Sequence, residues 1–363
     1  MMRNFIAFLL LIPLIVSCKK ETDNIIWQRS FGTGNALFIK ATSDSGFIGC
    51  GELNNKPYLV KLSREKSTLF DFTSERDGLF SSGWSDDSCF IAAGNSNDNM
   101  LLTRIDNKGY QVWDTTISAS FKINVTNLCY TGGGEFLAVG SAIPDADDPG
   151  AVGLMFIRFD TTGQIIKKDT ITGTDIISAS QVIVDNSGNI YLALTRKING
   201  SKASASVAKY NSNLQKLWEE KIYNNSDYTG VCNDVLSTES DSLYVTGKIE
   251  AYNTSGTLEN SFMASLSTSG KLGWKKYFEN SNSGSALISN DSDVLFMLNR
   301  NCFIISKLDP YSGTVMGPIR MFNECNSYNT DAFGTDIDIF YDRNILVAGS
   351  TGGNFYLAIK PSL

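Results

Sequence analysis

The chain has 363 residues, 42% of them hydrophobic and 19% charged, an ordinary balance for a protein that buries a sizeable core. Its formal charge is −7, or −8 once Arg3 is removed with a leader, which argues against a nucleic-acid backbone as partner. There is no histidine. That excludes Ser-His-Asp and Cys-His nucleophile systems and His-ligated metal sites, and it removes the commonest general base near neutral pH.

Residues 1–17 read as a targeting segment rather than as part of the fold. Arg3 supplies a short positive region, and Phe5–Val16 is an apolar run too short to span a bilayer as a stable helix. The run ends in Leu14-Ile15-Val16-Ser17-Cys18, which resembles a bacterial lipobox. The resemblance implies cleavage before Cys18 and acylation of that residue, palmitate included, so that residues 18–24 become a lipidated tether. The charged run Lys19-Lys20-Glu21-Thr22-Asp23 resembles the surface-export signals of Bacteroidota lipoproteins. The implied address is the outer membrane, at its periplasmic face or at the cell surface.

Residues 25–363 carry a repeat of about 50 residues, clearest in Phe90–Ile117. There a short apolar strand, Phe90–Gly94, is followed by a polar loop and a second strand, Met100–Ile105. The turn Asp106-Asn107-Lys108-Gly109 then leads to a third strand bearing Trp113. The apolar run recurs at Phe47–Gly51, Phe136–Gly140, Ile190–Leu194, Leu243–Gly247, Leu295–Leu298 and Ile345–Gly349. These runs are apolar without strict alternation, as in strands buried on both faces. All-β units of this length predict a β-propeller with seven four-stranded blades.

The last copy ends at Lys360-Pro361-Ser362-Leu363 without a fourth strand, whereas Ile25–Phe31 at the other end resembles the fourth strands at Trp218 and Trp274. The N-terminal strand is therefore expected to complete the last blade and close the ring, removing an open edge. Long connectors, at Ser141–Val152, Thr195–Ser204, Lys248–Ser261 and Phe322–Thr335, all fall between second and third strands or between blades, and so on one rim. Function tends to reside on such elaborated loops.

The spacing Asp-x-x-Gly-x-x-x-Trp at Asp106, Gly109 and Trp113, with partial matches at Gly270–Trp274 and Asn211–Trp218, resembles the tryptophan-docking repeat of pyrroloquinoline-quinone-type propellers. The stretch Val184–Tyr191 is similar to a blade of NHL or lactonase-like propellers. Both likenesses imply fold and carry no mechanism. The tryptophans, recurring at one position, are expected to dock blade on blade, and no cofactor is implied.

Six cysteines follow Cys18: Cys50, Cys89, Cys129, Cys232, Cys302 and Cys325. Free buried thiols are expected, with Cys302–Cys325 as the one pairing considered. Asp145, Asp147 and Asp148 form an acidic loop without the ligand ladder of an EF-hand. With Arg196, Lys197, Asp227, Tyr228, Tyr252 and Tyr328 they are the candidate ligand contacts on the elaborated rim, chosen by loop position and side-chain type. The function read from these features is a non-catalytic binding scaffold, held to the membrane by Cys18, with a protein or glycan on the loop face. The alternative is a carboxylate-dependent glycosidase or lyase acting there on polysaccharide.

Overall fold

In a computed structural model of the chain, residues 25–361 are described, apart from 87, 120–121, 144–152, 173–174, 198–201, 224–227, 239–240, 254–255, 279–282, 290–294, 300–302, 317–331 and 342. Every element is a strand. In chain order the first are β1 (Trp27–Ala41), β2 (Phe47–Leu53), β3 (Lys56–Leu62) and β4 (Thr68–Thr73). Next come β5 (Leu79–Ser85), β6 (Cys89–Ser96), β7 (Asn99–Asp106) and β8 (Gln111–Ile117), then β9 (Lys122–Gly132), β10 (Glu135–Ile143), β11 (Gly153–Asp160) and β12 (Ile165–Thr172). The chain continues through β13 (Ile176–Val184), β14 (Ile190–Lys197), β15 (Ala203–Tyr210) and β16 (Lys216–Tyr223), followed by β17 (Tyr228–Ser237), β18 (Ser242–Asn253), β19 (Gly256–Ser267) and β20 (Leu272–Phe278). It ends with β21 (Gly284–Ser289), β22 (Leu295–Asn299), β23 (Ile304–Leu308), β24 (Ala332–Ile339), β25 (Ile345–Thr351) and β26 (Asn354–Lys360).

Four sheets are four-stranded antiparallel units of consecutive strands: β5–β8, β9–β12, β13–β16 and β17–β20. A fifth, β21–β23, is extended by a bridge between Leu308 and Val315. The sixth has seven strands in the order β24-β25-β26-β1-β2-β3-β4, and β1 is the reason. Trp27–Thr33 pair with β26, while Gly34–Ala41 pair with β2. The N-terminal strand thus pairs with the last, as its likeness to the Trp218 and Trp274 strands leads one to expect.

All seven apolar runs of the repeat are second strands: β2, β6, β10, β14, β18, β22 and β25. They are buried on both faces because each sheet lies between two others. One core cluster joins Ile91 and Ala93 of β6 to Phe136 and Ala138 of β10 and Met155 and Ile157 of β11. The next joins Leu137, Val139, Leu154 and Phe156, on the opposite face of that sheet, to Ile190, Leu192 and Leu194 of β14. Outer strands instead alternate, as in the half-buried and exposed pattern of Leu272–Phe278.

Antiparallel order places the links between first and second strands, and between third and fourth, at one end of every sheet. The remaining connectors lie at the other end. At this turn end, aspartates cap the hairpins. Asp106 Oδ1 accepts the N–H groups of Lys108 and Tyr110, both at 2.9 Å, and Asp160 and Asp185 do the same in their turns. At the connector end one expectation is corrected. Lys248–Ser261 is not a loop, because β18 and β19 stay paired out to Asn253 and Gly256. The alternation of Ile249, Ala251 and Leu258 with polar residues gives the hairpin a strand pattern that a loop would not need.

Each innermost strand (β1, β5, β9, β13, β17, β21 and β24) carries a bulge where its pairing with the second strand slips by one residue. The slipped positions are Leu37, Ser81, Thr126, Ser180, Asn233, Ser285 and Thr335. This turns polar side chains onto the neighbouring innermost strand. Thr335 Oγ1 donates to Ala36 O at 2.6 Å and Ser180 Oγ to Cys232 O at 2.7 Å.

Cys50, Cys89, Cys129 and Cys232 are free thiols in this packing, as expected. Burial pushes the Cys129 thiol up to about 12 and those of Cys50 and Cys232 higher still, so all three stay protonated. Cys302 and Cys325 lie outside the described residues.

Candidate functional site

Two hollows and one recurring clamp bring together the buried charged side chains Arg196, Asp234, Asp336 and Asp338 or the docking tryptophans. The clamp comes first, because one of the hollows lies where it is missing. On β8, Trp113 lies opposite Arg104 of β7, and both reach the next sheet. Trp113 Nε1 donates to Thr161 O at 3.1 Å, and Arg104 Nη1 donates to the same oxygen at 2.9 Å. The indole lies flat on Gly163, where a Cβ would come within 2.9 Å of the ring and where φ is +84°. Only glycine fits both demands. Trp218 and Lys209 repeat the arrangement on Thr268 O above Gly270, and Trp274 Nε1 donates to Pro310 O at 2.9 Å. The tryptophans thus dock sheet on sheet, as their recurrence implies.

Between the sheets β9–β12 and β13–β16 the clamp is missing on both sides. The residue opposite Arg158, where tryptophan stands elsewhere, is Lys167, and it turns to Asp169 at 2.9 Å. The turn position filled by Gly109, Gly163 and Gly270 in other sheets is Leu214, held at φ +62°. Arg158 still reaches across, donating to Ser212 O at 2.6 Å, but no ring follows it.

A cleft of about 620 Å³ opens here, walled by Ile171, Ile176 and Leu214 and headed by Arg196. Arg196 is buried, and its Nε and Nη2 donate to the two carboxylate oxygens of Glu219, the second at 2.7 Å. Its Nη1 reaches Asp175 at 3.0 Å, and Lys216 adds a contact to Glu219 at 3.2 Å. Burial alone would loosen the guanidinium proton, yet the Glu219 and Asp175 carboxylates raise its pKa above the ordinary value. Register explains the meeting. Arg196 pairs with Ser204, and Ala208 pairs with Glu219, so the small third-strand residues let the long side chains meet across β15.

The second hollow lies where the innermost strands converge and measures about 280 Å³. Asp234 of β17 and Asp336 of β24 line it, with Asp338, Asn127 and Gln181. Asp234 Oδ2 accepts the N–H of Leu287 at 2.6 Å, and Asp336 Oδ2 that of Ile39 at 2.9 Å. Asp338 accepts from Ala41 N at 2.7 Å and from Lys40 Nζ at 3.1 Å. Asp234 and Asp336 follow the same rule, since each is the residue after a bulge and accepts from the backbone of the adjacent innermost strand, and Asp338 accepts likewise two residues further along β24. Burial pushes both Asp234 and Asp336 up to about 7, and the neighbouring Asp234 and Asp338 charges add to the rise at Asp336.

The sequence candidates fall unevenly on this geometry. Arg196 heads the cleft, and Lys197 is exposed beside it at the end of β14. Tyr228 and Tyr252 lie in strands, their backbones opposite Ala251 and Thr257 respectively. Asp145, Asp147 and Asp148, between β10 and β11, lie outside the described residues, as do Asp227, Tyr328 and Cys18. Sequence reasoning did not single out Asp175, Tyr210, Glu219 or the axial Asp234, Asp336 and Asp338. The available signal was the polar pair within five of the seven first strands, Asn233-Asp234 and Thr335-Asp336 among them. Among the described residues no group of three acidic or cysteine side chains is placed to hold a metal ion.

No family model matches the chain, and no curated protein matches it in sequence. Solved structures do match in shape. A streptogramin B lyase structure covers 92% of this chain and 98% of its own length with a TM-score of 0.59 and 9% identity. A structure of YCF48 bound to D1 peptide covers 93% and 95% at a TM-score of 0.57 and 10% identity. Drosophila Plexin A in complex with Semaphorin 1b covers 93% and 87% at 0.56 and 8%. All are β-propellers. The chain is a β-propeller. Identities this low establish the fold alone. The sheets of the propeller are its blades, the bulged strands line its axis, and the cleft is an undocked junction between two blades.

Proposed function

We propose that the protein is a lipid-anchored envelope lipoprotein whose propeller has seven blades, closed by β1, and serves as a non-catalytic protein-binding scaffold. The partner's seat is the cleft at the undocked junction. Seven bulged inner strands, seven apolar second strands and the pairing of β1 with β26 support the blade count and the closure. The lipobox-like run ending at Cys18 supports the anchor, placed in the outer membrane.

The observation that carries the scaffold reading is the cleft at a junction where Lys167 and Leu214 stand in the places that tryptophan and glycine take at the Trp113–Gly163, Trp218–Gly270 and Trp274–Gly313 contacts. The recess here, about 620 Å³ and headed by charged side chains, is larger than the hollow of about 470 Å³ beside the docked Trp218 clamp. The flanking strands β10 and β11 are joined by the connector that carries Asp145, Asp147 and Asp148, and Lys197 ends β14. A carboxylate enzyme needs two acids open to substrate. The acids brought together at the axis are engaged as acceptors for neighbouring backbones, which favours the scaffold over the polysaccharide-acting alternative. Peptide and protein partners are named for YCF48 and Plexin A, and a comparable class of ligand is proposed for this chain.

The test is a pull-down of the intact lipoprotein from its native membrane, with a glycan array alongside, for the unsubstituted chain and for Lys216→Glu/Lys221→Glu. A stoichiometric protein held by the first and lost by the second is the expected result. A partner held equally by both removes the cleft from the proposal. Glycan binding with no protein partner moves the function to the alternative.

A further inference from the structure

The twelve large hydrophobic side chains exposed among the described residues are not scattered over the propeller. Eleven lie at its turn end, and only Tyr277 lies toward the connector end. Six of the eleven occupy one register position, the residue just before the docking position on the outer strand: Ile26, Leu69, Val112, Ile166, Leu217 and Met316. Their exposure runs from 43% to 57%, and the remaining blade has Gly273 there. Outer strands bury only one face, so nothing in the fold asks for an aliphatic side chain at that position six times. Nearer the tips of the same end stand Tyr110, Tyr311 and Tyr341, the first two more than two-thirds exposed. Tyrosine, with an apolar ring and a polar tip, suits a boundary between hydrocarbon and water.

The place where the described chain starts gives the belt its partner. Ile26 immediately precedes the strand paired with β26, its N–H donating to Ile359 O at 3.0 Å, so the N-terminal segment leaves from this end. Seven residue steps separate Cys18 from Ile25, which reach at most about 25 Å when fully extended. An acylated Cys18 therefore keeps the turn end, not the connector end, next to the bilayer.

We infer that the turn end is a membrane-docking surface, on which the aliphatic belt and the tyrosines rest in the headgroup layer and direct the connector end away from the membrane. This inference depends on the lipoprotein reading above. The turn aspartates share this end, and Asp106, Asp160, Asp185 and Asp309 cap its hairpins with their carboxylates. The surface is accordingly suited to zwitterionic lipid, and anionic lipid weakens the contact. Peripheral docking of this kind scales with buried apolar area and adds to the hold of the acyl chains.

The experiment uses the full lipoprotein in vesicles of phosphatidylcholine and phosphatidylethanolamine carrying a nitroxide-labelled phospholipid. An environment-sensitive fluorophore is placed at Leu217→Cys on the belt or at Lys197→Cys on the opposite end, with the unsubstituted chain as the labelling blank. Lipid quenching of about twofold or more at Leu217, with none at Lys197, is expected for a surface resting in the headgroups. Adding Val112→Asp and Ile166→Asp abolishes that quenching while the protein still floats with the vesicles. An anchored chain whose Leu217 label stays unquenched overturns the docking surface and leaves the anchor standing. A mass for Cys18 without acyl chains overturns the lipoprotein reading and this inference with it. A label shielded from aqueous iodide in native membranes, yet untouched by lipid quencher, shows a protein on the belt and also overturns it.

Discussion

Two junctions in the propeller are built from the same register and end differently. Where β5–β8 meets β9–β12, Trp113 lies on Gly163 and shares Thr161 O with Arg104. Where β9–β12 meets β13–β16, Arg158 makes the same reach to Ser212, but Lys167 and Leu214 replace the ring and its glycine seat. The cation alone does not close the gap. The indole supplies the apolar area and the glycine supplies the room, and a junction lacking both remains a cleft in which an ion pair takes the place of packing.

The comparison breaks first at its docked half. Trp218→Ala removes a ring from between two blades and should cost about 3 kcal/mol or more, read as a lower midpoint in denaturant unfolding. Lys167→Ala, at the matching register of the open junction, should stay within about 0.5 kcal/mol. Equal losses would show that the docking position contributes nothing special.

Removal of Glu219 comes next. Glu219→Ala leaves the Arg196 guanidinium buried with Asp175 alone, and a loss of about 3 kcal/mol is expected by the same measurement. The double variant Arg196→Met/Glu219→Leu should recover most of it, since a well-packed apolar pair replaces a buried ion pair at little cost. A double variant as unstable as the single one would mean that the pair does more than satisfy itself.

The axial carboxylates offer a pH test. Asp234 and Asp336 have folded-state pKa values near 7, above the ordinary 3.8. The folded protein therefore binds more protons than the unfolded chain between about pH 4 and pH 7. Their contribution is fully present below the unfolded pKa and is lost as pH rises through the folded one. The turn aspartates Asp44, Asp86, Asp160, Asp185 and Asp309 are held below their ordinary value and act oppositely, losing stability as pH falls below about 4. Asp234→Asn keeps an acceptor for Leu287 N–H and should flatten the decline toward pH 7 by about 1–3 kcal/mol. An unchanged slope in melting against pH would place the titration elsewhere.

The smallest expected effect sharpens the comparison most. Lys167→Trp with Leu214→Gly installs the missing clamp, and stability should rise by about 1 kcal/mol as the left-handed leucine is relieved and the ring packs. The same variant should lose the partner that the unsubstituted chain retains. Retention of the partner by a chain with a closed cleft would separate the cleft from binding.

What could be read from the residues follows from range of interaction. The second strands were legible because burial on both faces forces an unbroken apolar run, and the docking tryptophans because each recurs at a fixed distance from a turn. Arg196 was visible as a charged residue near a predicted loop, but its burial was not. Glu219 lies 23 residues away, and only the pairing of β14, β15 and β16 brings the two side chains to one face. The axial aspartates were harder still. Asp234 and Asp336 come from different blades, and the bulge that turns each inward changes the register by a single residue. Lys248–Ser261 was misread as a connector because a long hairpin and a long loop of these residues differ little in composition.

The division of β1 between two partners sets an order in time. Its first half pairs with β26 and its second with β2, so the earliest residues of the domain to emerge during synthesis must wait for the last before half of their backbone groups are matched. Until Asn354–Lys360 arrive, an open strand edge stands beside a growing stack of blades, a template for other chains. The pairing spans more than 300 residues and belongs to the slow, late part of folding. A nascent chain of this kind needs its edge shielded until it is complete, and a chain interrupted shortly before β26 should be the most aggregation-prone of all its truncations.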